Sequence, residues 1–200
     1  MISRRRLPGL LAVALCALAA SAASASAALP EFSSTKISKG EHVTFTDTSG
    51  ESRLETAAHN PVICKASTSK GEITGPKTVG GATVTYTGCT QGVANCQNEG
   101  TGVIKTNPLT GTLSYISESE KRVKETLKPE SGTEFVKFKC GTVGVIVTGS
   151  VSGEAKPVNI SQTTGELIFA KAGGLVAFSE AATLTSTDKI TFAEAVALKA

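Results

Sequence analysis

The chain has 200 residues, with 20 Lys and Arg against 17 Asp and Glu, a formal net charge of +3 and no Trp. Three of the basic residues, Arg4, Arg5 and Arg6, sit at the very start, so the rest of the chain carries the two signs in equal number. A neutral body excludes the clustered positive charge on which binding to nucleic acid or an anionic membrane depends. With 4% aromatic residues, the core has to be built from Val, Ile, Leu, Ala and a few Phe.

In chain order, Arg4 to Arg6 precede an apolar stretch, Leu10 to Ala20, and a run of small residues, Ser21 to Ala28. That is the layout of a secretory signal peptide over residues 1–28, with cleavage after Ala27 or Ala28; Ala25 also satisfies the small-x-small rule. The apolar stretch is shorter than the roughly 20 residues of a membrane span. Ser3 to Leu7 faintly resembles a twin-arginine signal, but an ordinary basic n-region accounts for it. Cys16 follows Leu15, where lipid attachment expects a small residue, so it reads as part of the segment lost on cleavage. Residues 29–41 read as a polar lead-in. Residues 42–200 read as a single all-β domain, long enough for a real core.

From there short apolar-alternating runs recur between Gly, Pro, Asn and Ser. They are Val43 to Thr46, Thr83 to Thr87, the set Val143, Val145, Val147 and Val151, and the set Ile190, Phe192, Val196 and Leu198. Threonine and valine dominate, as β-branched residues do in strands. Many short strands with frequent turn signals predict an antiparallel sandwich or flattened barrel. Ser117 to Leu127 and residues 188–199 admit a helical reading, but period-two alternation and Pro129 favour strands. Glu194 falls among core-facing positions and predicts an edge strand or a bulge.

A weak repeat predicts three hairpins. They run from Gly71-Glu72-Ile73 to Val84-Thr85-Tyr86, from Gly102-Val103-Ile104-Lys105 to Leu113-Ser114-Tyr115, and from Gly153-Glu154-Ala155-Lys156 to Leu167-Ile168-Phe169. Thr110-Gly111 and Thr164-Gly165 read as turns, as do Gly80-Gly81 and Gly173-Gly174.

Past the signal segment four cysteines remain, Cys64, Cys89, Cys96 and Cys140. An even number in an exported chain predicts two disulfides. Of three possible pairings, the short loop Thr90 to Asn95 favours Cys89–Cys96, which leaves Cys64–Cys140. A zinc site is disfavoured, because there is no Cys-x-x-Cys and only His42 and His59 are at hand.

Motifs that carry chemistry are scarce. Neither histidine sits in a Ser-His-acid pattern. Gly149-Ser150-Val151-Ser152-Gly153 has the wrong spacing for a nucleophile elbow and reads as a strand with a glycine kink. Pairing accounts for every cysteine outside the signal segment. Glu51, Glu55, Glu118, Glu120 and Glu125 could supply the two carboxylates of a glycosidase, yet none is marked by its neighbours. Glu118 and Glu120 read as one solvated strand face. Asp47 and Asp188 are the only aspartates and stand apart in sequence, which argues against a calcium site. No cofactor motif is present. Asn159-Ile160-Ser161 is a formal glycosylation sequon.

Several short motifs in order carry a resemblance: Leu29-Pro30-Glu31-Phe32, Ile63-Cys64, Gly71 to Gly75, Thr87-Gly88-Cys89 with Cys96, Phe138 to Gly141, and Gly149 to Asn159. In these the chain resembles a set of secreted proteins of unknown function from high-GC Gram-positive bacteria. The resemblance implies export and four structural cysteines, and it implies no activity. The expected function is a non-catalytic extracellular or envelope-associated protein, binding or structural, whose partner is an extracellular ligand or a cell-envelope component. A secreted Glu-dependent hydrolase acting on polysaccharide is the alternative. A surface protein that self-associates by strand addition is a third reading.

Overall fold

A computed structural model describes residues 29–200; the signal-peptide reading of residues 1–28 lies outside the described residues. The elements are β1 (Glu31–Ser33), α1 (Thr35–Ser38), β2 (Val43–Ser49), β3 (Ser52–Thr56), β4 (Val62–Cys64), β5 (Ala66–Gly75), β6 (Thr78–Thr87), β7 (Thr90–Gln91), β8 (Ala94–Gln97), β9 (Val103–Lys105), β10 (Leu109–Ser117), β11 (Arg122–Pro129), β12 (Glu134–Cys140), β13 (Val143–Gly149), β14 (Val151–Lys156), β15 (Ser161–Ala177) and β16 (Glu180–Lys199). The fold is all-β, 71% strand with 2% helix, and antiparallel.

The ladder closes on itself as a ring of 14 strands, and the long hairpin β15–β16 divides that ring. On one side β16, β2, β5, β6, β10, β11, β14 and β15 form a closed circuit. On the other, β16, β3, β4, β7, β8, β12, β13 and β15 form a second. Residues 164–168 pair with 187–191 in the first circuit, and 172–177 with 180–184 in the second. The molecule is therefore two barrels stacked end to end along one hairpin. Eight strands is the number at which inward side chains just fill a barrel. Inward residues build both interiors: Val43, Ile73, Leu109 and Val123 are fully buried in the first barrel, and Val145, Val147, Cys89 and Cys96 in the second. Thr44, Thr46, Lys70 and Glu72, at the alternate positions, face outward.

The chain passes from the second barrel to the first at Gly149, and both β13 and β14 lie against β15 there. Gly149 has φ +100° and Gly174 φ +103°. A Cβ on Gly149 would stand 2.3 Å from the Gly174 carbonyl oxygen, and one on Gly174 would stand 2.4 Å from that of Ser150. Only glycine fits at either position. The expected kinked strand is instead a junction between β13 and β14, and Gly173-Gly174 is a bulge within β15 and not a turn. Gly80-Gly81 likewise lies inside β6, at a register shift.

The first and third expected hairpins form, as β5–β6 and β14–β15. The second does not. β9 pairs with β6, while β10 lies between β6 and β11. Thr110-Gly111 and Thr164-Gly165 are mid-strand residues. Both stretches that admitted a helix are strands, except that Glu118 and Glu120 lie in the exposed turn between β10 and β11 and share no strand face. The polar lead-in is structured: β1 pairs with β16, and Phe32 and Ile37 are buried in the core. Glu194 sits where β16 bulges away from β15 between Gln162 and Thr164. Its carboxylate accepts from the Lys36 amide of α1 at 3.3 Å.

The disulfides are Cys64–Cys89 and Cys96–Cys140, which corrects the expected pairing of Cys89 with Cys96. The Cys96 amide donates to the Cys89 carbonyl, while the Cys89 amide donates to the Gly102 carbonyl and its sulfur is taken by Cys64. Cys96 and Cys140 are register partners in a narrow pair, bracketed by Gly141 N–H donating to Asn95. Their Cα atoms are 4.0 Å apart. Loop proximity in sequence therefore lost to strand pairing.

Candidate functional site

Strand alternation sends Val43, Phe45, Asp47 and Ser49 of β2 into the first barrel. Asp47 is the register partner of Ser69 on β5, whose hydroxyl donates to its carboxylate. On the other flank Asp47 opposes Ile190 and Ser49 opposes Asp188, so the two aspartates are diagonal neighbours on one face. Asp188 accepts from the Ser186 hydroxyl at 2.5 Å. A chain of hydroxyls continues from there through Ser52 (3.3 Å) to Ser49 (3.3 Å) and Ser67 (2.7 Å). This polar layer lies where the two interiors meet.

Glu125 enters the same layer from β11. Its register partner on β14 is Gly153. On β10 it leans across Gly111, where a Cβ would stand 2.1 Å from its Oε1. Gly111 makes the room, whereas the space beside Gly153 is taken by Leu167 and Phe169. Glu125 is 6% exposed, and no hydrogen bond acts on its carboxyl group. Asp47 Oδ1 is buried without a partner.

Burial shifts these groups. Glu125 is pushed up to about 7, first by desolvation and then by the charges of Asp47 and Asp188. Asp188 rises to about 6, desolvation again outweighing the Ser186 hydrogen bond that opposes it. Desolvation raises Asp47 too, against the bonds from Ser69. The Tyr86 hydroxyl is pushed up by burial and by the same two aspartates.

The three carboxylates line a cavity in the first barrel whose other walls are mostly apolar, among them Phe45, Leu109, Leu127 and Phe192. Its volume is about 60 Å³, enough for a few waters or one slender guest. Pro157, Ile160, Gln162 and Thr164 also line it. Its mouth therefore lies beside the β14–β15 loop and the bulge of β16. Ile160 is 53% exposed at that mouth. Asn159, the sequon residue, ties the loop to the C-terminus: its side chain exchanges hydrogen bonds with Ala200, at 3.0 and 3.3 Å.

The remaining candidates lie elsewhere. Glu51, Glu118 and Glu120 are exposed. Glu55 pairs with Arg53 at 3.0 Å. His42 pairs with Glu72 on the surface, and His59 stacks on Phe178 with ring centroids 4.4 Å apart. Among the described residues no group of three or more His, Cys, Asp and Glu is arranged to hold a metal ion, and no helix is long and apolar enough to cross a membrane. Sequence reasoning marked Glu125 only as one of five equivalent glutamates and treated the aspartates as isolated. The available signal was parity: Asp47 alternates with Val43 and Phe45, and Asp188 with Ile190 and Phe192. Searches against family models, curated proteins and solved structures found no match.

Proposed function

We propose that this chain is exported by a cleaved signal peptide and works outside the cytoplasm as a non-catalytic binding protein, holding a small, slender ligand in the first barrel. One observation carries this reading: an apolar cavity with unpaired carboxylates at its floor and a mouth at Ile160. Two buried disulfides support the oxidising location. Barrel interiors and mouths are recurrent ligand sites.

The hydrolase reading gains one feature, since three carboxylates face one concavity and two have strongly raised pKa values. Space counts against it. A volume of about 60 Å³ is far below the roughly 300–1,000 Å³ of pockets for larger ligands, so a polysaccharide does not reach Glu125. Strand addition gains no comparable feature: among the described residues most strands have neighbours on both flanks, and the free flank of Val143–Val147 in β13 is short.

The test uses 1-hexanol as a minimal apolar probe. It is expected to raise the melting temperature of the exported protein and to leave Ala155→Leu unmoved, because Ala155 lines the cavity and a leucine there fills it. Equal stabilisation of Ala155→Leu, or no stabilisation of the wild-type protein by hexanol or by any charged six-carbon analogue, would overturn the reading. Mass spectrometry of the culture medium should find a mature N-terminus near Leu29.

A further inference from the structure

We infer that the ligand class of the first barrel is a small amphiphilic amine, its ammonium group seated among Glu125, Asp47 and Asp188 and its hydrocarbon tail lying along the apolar wall. The inference rests on the binding role proposed above and deepens it.

The argument is one of missing charge. Asp47 comes to the site from β2, Asp188 from β16 and Glu125 from β11, and no Lys or Arg hydrogen-bonds any of the three among the described residues. Lys156 lines the mouth, but its ammonium pairs with Glu154 at 3.6 Å. Glu166 adds a further acid at the mouth, and Tyr86 of β6 contributes no positive charge. Buried carboxylates are ordinarily hydrogen-bonded or matched by a cation. Here the Asp47 Oδ1 atom has no partner, and the carboxyl of Glu125, more than nine-tenths buried, faces the cavity with none.

A fatty acid would add a fourth negative charge to this floor. A neutral alcohol would leave the charge unmatched. An alkylammonium supplies the charge, up to three N–H donors and an apolar tail of the size the cavity admits. A bare inorganic cation lacks the tail and does not use the walls built by Phe45, Leu109, Leu127 and Phe192.

The experiment titrates the full exported protein with hexylammonium, 1-hexanol, hexanoate and calcium by calorimetry, at pH 8 and pH 5. Hexylammonium is expected to bind at least about 10-fold more tightly than hexanol at pH 8 and to weaken about 10- to 100-fold at pH 5, where protonation of Glu125 competes with the guest. Glu125→Gln should cut hexylammonium affinity about 10-fold or more at pH 8 while leaving hexanol binding intact. Asp188→Asn provides a second arm should that variant misfold. Hexanol or hexanoate binding as tightly as hexylammonium, or amine binding insensitive to pH and to both substitutions, overturns the amine assignment and leaves the small-ligand role standing. Calcium binding in place of the amine also overturns it. Failure of all four probes overturns both.

Discussion

Glu125 gives the clearest case of a residue whose meaning depends on its neighbours. In sequence it is one glutamate among many in a charged stretch. In the fold it lies over a glycine that no turn requires. Gly111 sits in mid-strand without a left-handed backbone, and its missing side chain is explained by the carboxylate lying over it. Gly111→Ala is therefore expected to cost about 1–3 kcal/mol, the range for overpacking a filled interior. Gly144→Ala, with open space around the added methyl, should stay within about 0.5 kcal/mol of wild type. Urea denaturation of the two variants makes the comparison, and equal effects would remove the steric account of Gly111. Parity was enough to place Asp47 inside the barrel. What sequence could not supply was the register of β2 against β16, which brings Asp188 beside it from the far end of the chain.

At the level of elements, alternation was the legible signal and pairing the illegible one. β2, β6, β13 and β16 were each readable from period-two runs of Val, Thr, Ile and Phe. Glycine was read less well. Gly80, Gly111, Gly165 and Gly173 all resemble turn residues, yet each lies inside a strand, serving a bulge or a close approach. The cysteines failed for a related reason: a short loop makes Cys89–Cys96 entropically easy, but strand register sets Cys96 opposite Cys140 instead. The bridges that do form close loops with sequence separations of 25 and 44, worth about 3.5 and 4 kcal/mol in chain entropy. Both lie in the second barrel. Replacing Cys96 and Cys140 together by Ala should lower stability by about 2–5 kcal/mol and raise amide exchange first in β8, β12 and β13, with β2, β5 and β11 protected longer. Uniform loss of protection would show that the two barrels do not open separately.

For the whole molecule, the shared hairpin makes one body of two small barrels and leaves a layer of unpaired acids where their interiors meet. Such a layer costs stability whenever it is charged. The folded pKa values of Glu125 and Asp188, about 7 and about 6, lie above their ordinary values of 4.5 and 3.8. Their contribution to stability is therefore complete below about pH 4 and is lost as pH rises through 6 and 7. For Glu125 alone the loss is on the order of 3 kcal/mol. Glu154 and Glu194 are shifted down, by Arg122 and by Ser34 respectively, so they oppose this trend only in stronger acid. The most direct measurement is the free energy of unfolding in urea, at fixed ionic strength from pH 4.5 to 8.5, for the wild-type protein and Glu125→Gln. The account predicts a wild-type protein that is most stable near pH 5 and weakens by a few kcal/mol towards pH 8, with a flatter profile for the variant. Stability that rises with pH over this range, or a variant profile parallel to wild type, would contradict a buried, unmatched carboxylate at the centre of the fold.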